Sequence, residues 1–250
     1  MAISLSAVII TYNEERNIER CLASLDGIVD EIVVVDSYSS DRTEEICRSF
    51  SVRFITHKFE GHIQQKNFAI SCASFDWILS LDADEVLSEQ LKLSIINAKK
   101  QPDFNGYQMN RLTNYCGKWV KHCGWYPDTK VRMVNRNYAA WNGVNPHDKL
   151  EMINKDGVGF LTGDILHYSY YTRQDHLNQI AYFGTIASKE LYLKGIKSSW
   201  VKIMYKVVAQ FFKSYFLKLG ILDGSTGFTI SRLSAYATYV KYYKLLQMWK

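Results

Sequence analysis

Asp82-Ala83-Asp84-Glu85 sets two carboxylates one residue apart directly after the uncharged run Trp77–Leu81. Spaced in this way at a strand terminus, Asp82 and Asp84 can share a hard divalent cation, Mg2+ or Mn2+, together with a diphosphate that bridges to it. Such an ion neutralises the charge that develops on a nucleoside diphosphate as it leaves. An acid-x-acid triplet also occurs in ordinary solvated loops, so its weight depends on where the chain puts it. Asp36 closes another apolar run, EIVVVD, and Thr11-Tyr12-Asn13-Glu14 follows a third, LSAVIIT. An acid such as Asp36 at a strand end can accept from a base imide or a ribose hydroxyl. Its other use would be to cap the next helix, for which Ser40 and Asp41 stand closer.

These positions must be held by a scaffold, and the hydrophobic pattern supplies one. Leu5–Thr11, Glu31–Asp36, Val52–Thr56 and Trp77–Leu81 read as strands, the longer ones apolar on both faces. Between them, helices are expected from Ile18 to Gly27, from Ser40 or Asp41 to Phe50, and from His62 to Ser74; Ser88 caps another over Glu89–Ala98. Strands and helices alternating at this pace make right-handed βαβ units and a parallel sheet. Ligands bind at the carboxyl ends of such strands. Thr11-Tyr12-Asn13-Glu14, Asp36 and Asp82-Ala83-Asp84 all fall at those ends, and this agreement raises the acidic triplet above a loop motif. From Gly106 to about His167 the pattern turns to shorter, aromatic-rich strands (GYQMNR, KVRMVN, DILHYSY), and from Thr172 onward it is helical.

Composition removes several classes. A hydrophobic fraction of 47% with 22% charged residues is that of a globular chain, not a disordered one. The turn TYNEE holds no glycine and no GxxxxGK[ST] occurs, which argues against a dinucleotide-dependent dehydrogenase, a P-loop enzyme and a nucleotidyltransferase. Five scattered cysteines suggest reduced thiols and a cytoplasmic setting; Cys116, His122 and Cys123 lack the CxxC spacing of a zinc site. The apolar N-terminus has no basic flank and reads as a first strand, not a signal peptide, and the longest uncharged stretch, Met1–Asn13, is too short to span a bilayer.

The segments SAVIITYNEERNIERCL, EIVVVDSYSSDRTEEI, QQKNFAI and WILSLDADEVLS, in that order, resemble a family 2 glycosyltransferase of the GT-A fold. WYPDTKVRMV, PHDKL, HYSYYTRQD and KLGILDGSTGF extend the resemblance to the small lipopolysaccharide core glucosyltransferases, over nearly the whole chain. The resemblance implies an α/β GT-A domain with a mixed, mainly parallel sheet over about residues 1–190, followed by a helical extension over 191–250. It implies that Thr11, Asn13 and Glu14 line a nucleoside pocket, that Asp36 binds the base and that Lys66 reaches base or diphosphate. It further implies that Asp82 meets ribose or metal, that Asp84 is the principal ligand of a Mg2+ or Mn2+ ion, and that Arg132 holds a phosphate. His167 would complete the metal shell, or serve as a hydrogen-bonded core histidine.

Inversion at an anomeric carbon requires one carboxylate to deprotonate the attacking hydroxyl. The subgroup usually carries His-Glu in the relevant loop; here Pro146-His147-Asp148 stands there, one methylene shorter, which makes Asp148 the expected base and Asp128 its competitor. The expected reaction moves a hexose from a UDP-linked or similar donor to a glycolipid such as the lipopolysaccharide inner core. A polyprenyl-linked or capsule glycan as acceptor, and a non-catalytic scaffold of the same fold, are the rival readings.

Charge is unevenly spread. Residues 1–190 hold 20 Lys and Arg against 24 acids, whereas residues 191–250 hold 10 against the single Asp223. On a helical wheel Lys202, Lys206 and Lys213 share one face, with Trp200, Ile203, Val207, Phe211, Tyr215 and Leu219 broadly opposite. That pattern suits the surface of an anionic membrane at the cytoplasmic face, or a helix packed on the core with a solvated lysine edge. No nucleic-acid-binding motif accompanies the charge.

Overall fold

The computed structural model describes residues 2–144, 147–153 and 157–249, without the side chains of Val144 and His147. Pro146, in the segment that carries Asp148, lies outside the described residues.

The chain opens as β1 (Leu5–Thr11), α1 (Ile18–Ala23), β2 (Glu31–Asp36), α2 (Thr43–Arg48), β3 (Arg53–Thr56), α3 (His62–Cys72) and β4 (Trp77–Asp82). The short β5 (Glu85–Leu87) and α4 (Glu89–Lys100) follow, and Ser88 caps α4 by accepting the Leu91 N–H. Next come β6 (Gly106–Tyr115), β7 (Lys118–Trp119), β8 (Asp128–Asn135), the hairpin β9 (Ala139–Val144) and β10 (His147–Met152), and β11 (Gly159–Tyr170).

The main sheet runs β3-β2-β1-β4-β8-β6-β11-β5, with β7 beside β6. Strands β1 to β4 pair in parallel, and β1, β2 and β4 are the continuous apolar runs expected of strands covered on both faces. Strand β8 then joins β4 antiparallel, and β5 joins β11 antiparallel, giving a mixed α/β sheet. Alternate residues of one strand enter different cores. Leu5, Ala7 and Ile9 pack with Ile18 and Leu22 of α1 and Leu91 and Ile95 of α4, whereas Val8 packs with Ala69 and Ile70 of α3. This period-2 partition is the physical content of a sheet buried on both faces.

The chain forms two compact units: Met1–Arg111 with Asp128–His167, and Leu112–Pro127 with Tyr168–Lys250. The second is built on α5 (Arg173–Leu193), α6 (Trp200–Phe212), a π-helical turn (Lys213–Leu217), a 3-10 turn (Gly220–Asp223) and α7 (Gly224–Met248). Helix α5 begins with a reciprocal cap: Thr172 Oγ1 accepts the Asp175 N–H, and Asp175 Oδ2 accepts the Thr172 N–H. Tyr115, Trp125, Tyr170 and His176 form an aromatic cluster in which burial pulls the His176 imidazole down to about 4. His122 pairs with Asp223 and Cys123 is buried beside Ser231, so neither is arranged for zinc. The described cysteines are all free thiols, and no described helix is long and apolar enough to cross a membrane.

Of the two settings read from the helical wheel, packing on the fold applies to part of the apolar face. Ile203 is fully buried, and Phe211 and Tyr215 stack on one another against Phe228 of α7. The apolar face read opposite the lysines is thus partly covered by α7, while Trp200 and Leu219 on the same face stay 54% and 50% exposed.

Candidate active site

Register places the expected residues side by side. Thr11 is the parallel partner of Asp36, and Ile10 of Asp82, so the ends of β2, β1 and β4 lie in one row. Asp36 is buried, and its carboxylate accepts from the Ser39 N–H and the Ser39 hydroxyl. Asn13 holds φ at +54°, a conformation asparagine tolerates better than most residues. Its N–H donates to Ser39 Oγ at 2.8 Å and its Oδ1 accepts the Ser40 N–H at 2.8 Å, which ties the first βα turn to the second. The buried Thr11 hydroxyl has no hydrogen-bond partner among the described residues.

Glu14 accepts from Asn17 Nδ2 at 2.6 Å. Burial pushes its carboxyl up to about 7 against that hydrogen bond, and the nearby charges of Asp84, Asp41 and Asp82 push the same way.

At the centre stands Lys66, whose side chain is only 7% exposed. Its Nζ lies 3.0 Å from Asp82 Oδ1 and 2.8 Å from Asp148 Oδ2. A lysine so buried is stable only when paired, and here it joins a strand end to the β9–β10 hairpin. Each residue of Gln65-Lys66-Asn67 has a separate task. Gln65 bonds His57 and Ser37, and Asn67 exchanges two hydrogen bonds with the Trp141 backbone at 2.9 and 3.0 Å. The hairpin is thereby fixed against α3. The Trp141 ring then lies beneath Lys66 Nζ, 4.2 Å from its centroid, and beneath the Arg132 guanidinium at 5.4 Å.

Arg132 is almost wholly buried and donates through Nη2 to Asp82 Oδ2 at 3.1 Å and Glu85 Oε1 at 2.8 Å. Glu85, fully buried, also accepts the Asp82 N–H at 3.0 Å and meets Arg111 Nη1 at 3.3 Å. Burial works against ionisation of Asp82, but Lys66 and Arg132 outweigh it and hold the carboxyl well below its usual range. For Arg132 burial is likewise outweighed, here by Glu85 and Asp82, and the guanidinium is held above its usual value. Arg132 Nε and Nη1 have no partner among the described residues, leaving donors in reserve.

Asp84 faces the other way and meets His167 Nε2 at 3.1 Å. Burial raises the Asp84 carboxyl, and His167 more than reverses this. Asp128 is held by Arg111 at 2.8 Å and Lys130 at 3.0 Å.

Lys66, Asp82, Arg132 and Asp148 thus form one network, and Asp84 with His167 a second pair beside it. Among the described residues no group of three or more His, Cys, Asp or Glu side chains is gathered for a metal. Asp84 and His167 could hold a divalent cation between them, and Asp82, which Lys66 and Arg132 engage, stands two residues from Asp84. The Asp84 carboxylate suits Mn2+ or Mg2+, ions that keep several sites for water and substrate phosphate, whereas the His167 imidazole is a softer donor than Mg2+ ordinarily takes.

Glu85, Arg111, Asn67 and Trp141 escaped sequence reading as site residues. The one available signal was Glu85, a charge inside the strand EVL.

Residues 6–147 match the family described as Glycosyl transferase family 2. An uncharacterized glycosyltransferase of Rickettsia typhi is 30% identical, covering 98% of this chain and 87% of that one. A lipopolysaccharide core biosynthesis glycosyltransferase of Rhizobium meliloti is 24% identical, over 95% and 93%. S. aureus TarS 1-349, solved in complex with UDP, is 12% identical over 99% and 91%, with a TM-score of 0.47. With the family matched over more than half its length and a relative 30% identical along almost all of it, this chain belongs to glycosyl transferase family 2.

Proposed function

We propose that the enzyme is an inverting hexosyltransferase that takes its sugar from a UDP-linked or similar donor and passes it to a glycolipid, of which the lipopolysaccharide inner core is the leading candidate. The observation that carries this reading is Lys66, which contacts Asp82 on the donor side and Asp148 on the hairpin within 3.0 Å. The name of the Rhizobium relative supports the choice of acceptor.

Thr11, Asn13, Glu14 and Asp36 line the nucleoside end, where the Thr11 hydroxyl is buried without a hydrogen-bond partner among the described residues. Lys66 and Arg132 face the phosphates, with Asp82 positioning both. Asp84 and His167 would hold Mg2+ or Mn2+, which when bound supplies positive charge for the leaving diphosphate. Asp148 acts as the base. The acceptor oxygen attacks the anomeric carbon, the bond from that carbon to the diphosphate breaks, and the acceptor proton passes to the Asp148 carboxylate. Before the donor arrives Lys66 neutralises Asp148; a diphosphate competes for that lysine and frees the carboxylate. Asp128, gripped by Arg111 and Lys130, is less free to take a proton. A lipid-linked acceptor places the enzyme at the cytoplasmic face of the cell membrane.

The test is hydrolysis of UDP-sugars with and without Mn2+. Asp84→Ala is expected to lower the Mn2+-dependent rate by about a hundredfold or more, the scale of losing one electrostatic stabiliser. Absence of both turnover and nucleotide binding in the unaltered protein would favour a scaffold instead.

A further inference from the structure

Helix α6 has three sides. One is turned to α7 through Ile203 and Phe211. A second carries Lys202 and Lys206, and Lys213 follows in the π-helical turn. The third repeats at i, i+3, i+7 and i+11, which is a single helical face: Val201, Met204, Val208 and Phe212 are 81%, 62%, 49% and 54% exposed. Beyond the helix Leu217 and Leu222 add 78% and 64% exposure. Single exposed apolar residues are ordinary, but a row of them at helical spacing marks a contact surface.

Charge decides what covers it. From Leu191 to Leu222 there are six lysines and no acid, so the partner is anionic. A second copy of this chain docked through the same face would set lysines against lysines. Anionic lipid meets both features at once: apolar side chains enter the headgroup–acyl boundary, and lysine stems lie along it with their ammonium groups at the phosphates.

We propose that this stripe, with Leu217 and Leu222, docks the enzyme on an anionic bilayer, the lysines on the neighbouring side of α6 pairing with lipid phosphates. The inference rests on the glycolipid reading above but is tested apart from it. The full chain is floated with vesicles of phosphatidylglycerol and phosphatidylethanolamine, and with phosphatidylcholine alone. The triple variant Met204→Ser, Val208→Ser, Phe212→Ser alters only exposed side chains; unchanged melting and unchanged UDP-sugar hydrolysis in solution would show that it folds. It is expected to lose vesicle affinity by at least about a hundredfold. Lys202→Gln with Lys206→Gln and Lys213→Gln is expected to lose about tenfold or more, and its preference for anionic vesicles with it. Undiminished binding by the serine variant would overturn the proposal. So would self-association of the unaltered chain that this variant abolishes while neither protein floats. Turnover without vesicle binding would sink the surface alone; vesicle binding without turnover would sink the transferase reading alone.

Discussion

Lys66 and Arg132 share one aromatic floor, and both lean on acids that would otherwise repel each other. Removing the floor should therefore show in binding as well as in stability. Trp141→Leu is expected to cost about 3 kcal/mol of stability from lost packing and to weaken UDP binding about tenfold. Trp141→Phe, which keeps a ring, should recover much of the binding; equal loss in both would show that the ring face is not what matters. Glu14 makes a prediction about pH. Its carboxyl titrates near 7 in the fold against an ordinary 4.5, so the protonated form is the one the fold favours. That contribution is fully present below pH 4.5 and is lost as pH rises through about 7, amounting to at most about 3 kcal/mol before solvent screening. Denaturant unfolding in metal-free buffer at about pH 5 and about pH 8 should show a decline in the unaltered protein that Glu14→Gln lacks. Parallel slopes would mean that Glu14 ionises as a solvated acid.

At the scale of elements, the segment KLGILDGSTGF resolves into a close crossing. A Cβ on Gly227 would stand 1.8 Å from the Gly220 carbonyl oxygen, and Asp223 between them holds both the N–H and the ring of His122. The start of α7 is thus packed against the 3-10 turn at a distance only glycine permits. Gly227→Ala is expected to destabilise the protein by about 3 kcal/mol or more, read as a lowered melting temperature, because backbone and not a flexible side chain must move. Gly117→Ala serves as a control at a site with nothing within 4 Å, where the cost is limited to its φ of +86°. Similar melting of both variants would refute the close-packing account.

Over the whole molecule the charge is divided, with acids in excess up to residue 190 and a lysine-rich remainder that holds one acid. A formal net charge of +5 understates how cationic that remainder is. If the cationic part meets anionic lipid, binding should weaken steeply with salt, since the Debye length shrinks from about 10 Å at about 0.1 M to about 3 Å at about 1 M. Vesicle affinity measured across that range is expected to fall, while UDP-sugar hydrolysis in solution changes far less, the Lys66 and Arg132 pairs being buried. Salt-independent vesicle binding would mean that the apolar stripe acts without the lysines.

The parallel half of the sheet was legible from residue order because burial on both faces imposes continuous β-branched runs, and the carboxyl-end rule then located Thr11, Asp36 and Asp82. Thr172 and Ser88 were equally readable as helix starts, since capping is settled within four residues. Partners far apart in sequence were not readable. Trp141 under Lys66, Glu85 between Arg132 and Arg111, and Asn67 on the hairpin involve separations that no local pattern encodes. Helix α6 shows the same divide. Its amphipathic pattern was visible, but which apolar face is covered depends on the arrival of α7, and a wheel holds no record of that. In the acidic triplet the resemblance already gave Asp82 and Asp84 different roles, but their partners came only with the fold, which turns Asp82 to Lys66 and Arg132 and Asp84 to His167.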